Sequence, residues 1–196
     1  MAGKSAYAAY FALPMDASPG APQIRITARD QAGNETAGGI PSLILKRTFR
    51  ADTMNLSQGF LDQKMPEFQA LFPELRGKSV LDTFIHVNTV MRTDNLKTIR
   101  SVCQKSEPRP LWQDVFLRMK NAAPMALFGD RRTYLYGGKP VGESVHNGVD
   151  LASVVHAPIE AANTGIVRFT GLVGIYGNTV IIDHGLGLST LYAHLS

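Results

Sequence analysis

The sequence has 196 residues, 44% hydrophobic and 18% charged, with a formal net charge of +4. That apolar fraction supports a sizeable core, and a charge content below the roughly 25% typical of soluble domains excludes an intrinsically disordered chain. Lys and Arg are scattered rather than gathered in a basic stripe with interleaved aromatics, which argues against a nucleic-acid binder. The single cysteine, Cys103, excludes an internal disulfide framework, and no apolar run approaches the roughly 20 residues that span a bilayer.

No signal peptide is visible in residues 1–10, which contain Lys4 but no continuous apolar core. Residues 5–13 and 23–28 read as short strands separated by the turn-rich stretch 14–20. Ile24, Ile26 and Ala28 alternate with Arg25, Thr27 and Arg29, the period of a half-buried strand. This strand runs into ARDQAGN at residues 28–34, which resembles the closing strand and turn of bacterial immunoglobulin-like modules. Such sandwiches need about 100 residues. Residues 1–37 are therefore expected to be the C-terminal remnant of such a module, or else a β hairpin of the domain that follows.

Residues 36–41 read as a linker and 42–49 as an apolar strand, opening a segment of linking strand and helices over 38–125. Leu56, Phe60 and Leu61 predict a short helix ended by Pro66. Ser79, with Asp82 three residues on, predicts the start of a second helix burying Leu81, Phe84 or Ile85, and Val90 or Met91. Asp94 reads as the N-cap of a continuation carrying Leu96, Ile99, Val102 and Cys103, so Cys103 is expected to pack rather than react. His86 has no partner at ligand spacing and reads as structural or solvated. Trp112, Val115, Phe116 and Met119 fall at i, i+3, i+4 and i+7 and predict an amphipathic helix over 111–119.

Beyond Pro124 helical periodicity stops and glycine becomes frequent. Strands are predicted at 166–169, 179–182 and 189–192, in an antiparallel β domain over 126–196 that holds four of the five histidines. The whole chain is expected to be α+β, with a mainly β C-terminal part.

The first constellation with chemical content is His146-Asn147-Gly148-Val149-Asp150. Zinc binds imidazole nitrogen and carboxylate oxygen at about 2.0–2.2 Å, so two ligands must bring their donor atoms within about 3–3.5 Å of each other. On a straight strand positions i and i+4 lie about 13 Å apart, and Asn147-Gly148 disfavours a helix. A turn at Asn147-Gly148 that folds His146 back towards Asp150 meets the requirement. No Ser nucleophile elbow competes, and the glycines of 171–177 lack the Lys-Ser/Thr ending of a P-loop.

Four segments occur in order: HNGVDLA at 146–152, HAPIEAANTGIV at 156–167, GNTVIIDHG at 177–185 and LYAHLS at 191–196. Together they resemble the lysostaphin-type (LytM-like) zinc metallopeptidases that cut peptides of bacterial cell-wall peptidoglycan. More loosely, FRADTMNLSQGFL at 49–61 resembles the region ahead of the peptidase domain in some envelope-anchored members. The resemblance implies a zinc cofactor with His146 and Asp150 as its first two ligands. It also implies that His194 is an active-site histidine, off the metal, that orients the attacking water or stabilises the oxyanion. The family's third ligand and a further catalytic histidine belong to an HxH motif, and no HxH occurs in these 196 residues. The peptidase domain is accordingly expected to be incomplete at its C-terminus, with the third ligand beyond residue 196 and zinc held weakly.

Asn178 and Tyr192 are candidates for the substrate groove, although turn and packing roles are their simpler reading. His156 is expected at the surface or behind the ligands, and His184 in a structural hydrogen bond. The expected partners are peptidoglycan peptides, with no nucleic acid and no membrane span within this chain. The expected location is the periplasm or outer envelope of a bacterium. A second reading is a degenerate LytM-like module that binds cell wall or activates a separate amidase.

Overall fold

A computed structural model describes residues 9–196. The chain divides into one unit ending at Phe49 and another running from Arg50 to Ser196. The first predicted strand, 5–13, falls partly outside the described residues, and its described part, 9–13, is not in a strand.

In the first unit, β1 (Gln23–Arg29) pairs antiparallel with β2 (Glu35–Pro41), from Gln23 opposite Pro41 to Arg29 opposite Glu35. The Asp30 carboxylate closes the turn, accepting from the backbone N–H and from Nδ2 of Asn34, each at 2.8 Å. The Asn34 side-chain bond is the main cause holding the Asp30 carboxyl below its ordinary range. Residues 36–41, read from the sequence as a linker, are therefore strand. Gly38 and Gly39 have no side chains to bury, but the register set by the turn gives their backbone a partner. The strand expected at 42–49 does not form; only Gly20 and Ile44 bridge, and Leu43 and Leu45 are exposed. Beyond that bridge no described strand pairs with residues 42–49, so the apolar run has no ladder to join.

In the second unit, β3 (Ala51–Asn55) lies parallel to β5 (Arg131–Tyr136), which pairs antiparallel with β6 (Lys139–Val145). The β5–β6 turn is Gly137-Gly138, both at positive φ, as a two-residue hairpin of this hand requires. Between β3 and β5 the chain folds into helices. Helix α1 (Gln58–Leu71) starts at Ser57, whose hydroxyl accepts from the Phe60 N–H. It does not stop at Pro66, as expected from the sequence, but runs through it to Leu71. Leu61 and Met65 on its inner face pack with Leu56, Phe84 and Tyr134, which offsets the lost backbone bond.

Ser79 caps α2 (Val80–His86) by accepting from Asp82 N–H, as the sequence pattern predicts. A π-helical turn, Val87–Met91, leads without interruption into α3 (Arg92–Cys103), so Asp94 is no N-cap. Here Asn88 Nδ2 donates to Phe84 O, and the Thr89 and Thr93 hydroxyls to Ile85 O and Thr89 O. These side-chain bonds satisfy carbonyls that the wider turn loosens. Phe84 meets Tyr134 edge to face at 5.0 Å, joining α2 to β5.

The second sheet is β8 (Ile166–Leu172), β9 (Asn178–Gly185) and β10 (Leu188–Leu195), antiparallel throughout with β9 central. These contain the three strands predicted from the sequence. A short pair, β4 (Ala123–Ala126) with β7 (Asp150–Ala152), completes the unit. All pairings within 126–196 are antiparallel, and the protein is mainly β with a few helices.

The helix predicted over 111–119 is absent. Asp114 and Asn121 adopt positive φ, and the segment is tied to the second sheet as an irregular strap. Leu111 N–H donates to His184 O at 2.7 Å, Leu117 N–H to Ala162 O at 2.9 Å, and Gln113 N–H to Asn163 Oδ1 at 3.0 Å. Tertiary partners replace the helical ladder, and the i, i+3, i+4 spacing turns out to be incidental. Gly185, at φ +90°, is required where the strap passes, because a Cβ there would run into the Arg109 carbonyl oxygen.

Candidate functional site

His146 follows β6 directly and is held by its backbone to a tight turn at residues 127–130. Its N–H donates to Asp130 O, and Gly129 N–H donates to His146 O, both at 2.8 Å. The ring then faces Leu127 O, 3.1 Å from Nδ1. A carbonyl only accepts, so Nδ1 carries the proton, and in the neutral ring Nε2 keeps its lone pair. The chain bends at Gly148 and re-enters a strand at Asp150, where β7 pairs with Ala126 of β4. This fold-back places Asp150 Oδ1 3.1 Å from His146 Nε2, with the two side chains 27% and 50% exposed for the histidine and aspartate respectively. A lone pair and a carboxylate oxygen at that separation repel unless a positive centre lies between or beside them. Either a proton on Nε2 or a shared cation supplies it. Two bonds of about 2.0–2.2 Å to one cation such as zinc would span a gap of this size, and the half-exposed Asp150 leaves one side open.

The remaining candidates are not joined to this pair by any hydrogen bond or ion pair among the described residues. His194 sits on β10, where the register with β9 shifts between Tyr192 and Leu195; it is exposed, with φ +58°. Asn178 is exposed at the start of β9, between Leu172 and Leu195. The Tyr192 hydroxyl accepts from Ala162 N–H at 2.6 Å and is engaged in packing the loop before β8. His156 is exposed in the loop after β7, and His86 borders a cavity of about 470 Å³ on the helical side with Phe72, Met91 and Val173. Among the described residues no third His, Cys, Asp or Glu groups with the His146–Asp150 pair.

Two features carry no sequence signal strong enough to have singled them out. Asp130 is 6% exposed, and its Oδ2 accepts from Leu127 N–H at 3.0 Å. An aspartate after a glycine is a turn signal, but nothing local links it to His146. The second feature is a buried network under the sheet. Asp183 accepts from Ser106 Oγ at 2.6 Å, from the Glu107 and Gly185 N–H groups at 2.9 Å, and from Arg168 at 3.0 Å. Burial pushes its carboxyl up, but these bonds outweigh it and bring the pKa down to about 2. Arg168 also donates to Glu107 at 2.7 Å, and that bond, followed by the one to Asp183, raises its pKa. Beside it, fully buried His184 has both ring nitrogens engaged, with Thr164 O at 2.7 Å and Thr190 Oγ1 at 2.8 Å, as the expected structural role requires.

Comparison with known proteins converges on the same stretch. Residues 144–196 match Peptidase family M23. The lysostaphin-type resemblance read from the sequence holds over this segment. The DD-carboxypeptidase/endopeptidase Mpg of Neisseria meningitidis serogroup B and that of Neisseria gonorrhoeae are each 46% identical over 52 residues, 26% of this chain. The matched stretch spans 12% of the length of those relatives. The M23 segment contains His146, Asp150, Asn178, Tyr192 and His194, and the helices of residues 58–103 lie outside it. No described helix is long and apolar enough to cross a membrane.

Proposed function

We propose that the protein is a zinc-dependent metalloendopeptidase that hydrolyses peptide bonds in bacterial cell-wall peptidoglycan, at the periplasmic or outer face of the envelope. The observation that carries this reading is the 3.1 Å approach of His146 Nε2 to Asp150 Oδ1 on an open face, inside the segment that matches Peptidase family M23. The relatives, named carboxypeptidase/endopeptidase, support the reaction class.

In this reading His146 Nε2 and Asp150 are two of the three protein ligands of a catalytic zinc. When bound, zinc acts as a Lewis acid towards the scissile carbonyl and makes an attacking water more acidic. Asp150 contributes a negative charge that partly neutralises the ion. His194, exposed on the β10 irregularity, orients the water or donates a hydrogen bond to the developing oxyanion. Asn178 offers its amide to the substrate backbone, and Tyr192 borders the same strand pair with its ring. The hairpin of β1 and β2 would close an immunoglobulin-like module ahead of the enzyme.

The test pairs metal content by atomic absorption with hydrolysis of purified peptidoglycan by the complete protein. His146→Ala and Asp150→Ala should lose zinc and activity together. His194→Ala should keep zinc while turnover falls about 10²–10³-fold. His86→Ala, on the helical side, serves as the control. Loss of zinc from His194→Ala equal to that of His146→Ala would overturn the ligand assignment. A zinc-loaded wild type that binds peptidoglycan without cleaving it would make the protein a binding module.

A further inference from the structure

We propose that Asp130 is a positioning residue for His146: its buried carboxylate fixes the Leu127 carbonyl that selects which imidazole nitrogen is left free. An imidazole ring can turn over and exchange the places of its nitrogens, so a ligand histidine needs an acceptor that holds one orientation and one tautomer. Here the acceptor is Leu127 O; two bonds of Asp130 hold Leu127 and a third holds the His146 backbone. Asp130 Oδ2 accepts from Leu127 N–H at 3.0 Å. Asp130 N–H donates back to Leu127 O at 3.2 Å, and Asp130 O accepts from His146 N–H at 2.8 Å. The same residue thus fixes both the carbonyl that meets Nδ1 and the backbone from which the ring projects.

Burial makes the assignment sharper. Asp130 is 6% exposed, although an aspartate on a surface turn closes it equally well in water. Burying a carboxylate is costly, and Asp130 nevertheless occupies a position where its side chain meets a backbone N–H. A turn closed by an apolar residue would avoid that cost but would leave Leu127 N–H without its acceptor. The carboxylate thus holds the N–H of Leu127, while the Asp130 backbone N–H holds the carbonyl of the same residue, which meets the ring. Asp130 itself presents no atom to the His146–Asp150 gap, and its effect reaches the gap only through the ring.

The inference rests on His146 coordinating through Nε2, and the experiment separates the two claims by reading the tautomer without any metal. Long-range ¹⁵N–¹H correlation spectra of the 196-residue chain, at a pH where the imidazole is neutral, should show His146 as the Nδ1–H form. Asp130→Ala should convert it to a mixture, whereas Asp130→Asn, which keeps an acceptor for Leu127 N–H, should retain it. Zinc titration followed on the same resonances should give a dissociation constant about 10–100-fold higher for Asp130→Ala, the usual effect of losing a partner behind a ligand. A pure Nδ1–H tautomer with unchanged zinc affinity in Asp130→Ala would overturn the proposal. Where that variant does not fold, Asp130→Glu carries the test, because the added methylene displaces the acceptor while keeping the charge; an unaltered tautomer there is equally fatal. Wild-type zinc affinity in His146→Ala would sink the ligand reading alone, since the tautomer result stands without it.

Discussion

Asp183 and His184 lie adjacent on β9, and His146 and Asp150 lie four residues apart across a bend, yet the fold treats these two sets of the same side chains in opposite ways. In the first, every polar atom is answered. His184 is fully buried with both nitrogens bonded, and Asp183 receives Ser106, two backbone N–H groups and Arg168. In the second, one nitrogen is tied to Leu127 O, and the other faces a carboxylate oxygen at 3.1 Å across a gap open to solvent. A satisfied cluster stabilises and has no capacity left for a ligand. An open pair with a free lone pair stabilises little and can take a cation. Residue type does not separate the two cases; the remaining hydrogen-bond capacity does.

The largest effect expected from breaking this contrast is on the closed side. Asp183→Ala strands the Glu107 and Gly185 N–H groups and leaves Arg168 with one carboxylate, so the second unit should lose about 3 kcal/mol, the scale of removing one partner from a buried pair. Urea unfolding followed at the Tyr and Trp fluorescence reads it, and an unchanged midpoint would mean that the network is incidental.

Acid should act on the same network less abruptly. The folded pKa of Asp183, about 2, lies below its ordinary value of 3.8, so its contribution is complete above about pH 4 and is lost as pH falls through 2. Unfolding midpoints between pH 5 and 2 should therefore fall more steeply for the wild type than for Asp183→Asn. Parallel slopes would remove Asp183 from the acid response.

The smallest effect should come from the open side. Asp150→Ala, at a half-exposed side chain, should change unfolding stability by no more than about 0.5 kcal/mol. A loss comparable to that of Asp183→Ala would show the open pair to be part of the framework and erase the comparison.

The sequence by itself determined the local features: the strands β8, β9 and β10, the Ser79 cap, the turn at Asn147-Gly148 and the His146–Asp150 spacing. Each follows from residues near one another in the chain, where side-chain period and turn chemistry act directly. Only the tertiary structure decided the rest. Residues 111–119 carry a helical spacing but form a strap, because Ala162, Asn163 and His184 offer their backbone better partners. Residues 36–41 carry no apolar pattern but form a strand, because β1 supplies the ladder. Helix α1 passes through Pro66 because Leu61 and Met65 before it and Phe68 after it all pack in the cluster with Phe84 and Tyr134. Asp130 and Leu127 reach His146 across about 16 to 19 residues of chain, a distance over which hydrogen-bond partners are chosen by packing and are invisible to any local pattern.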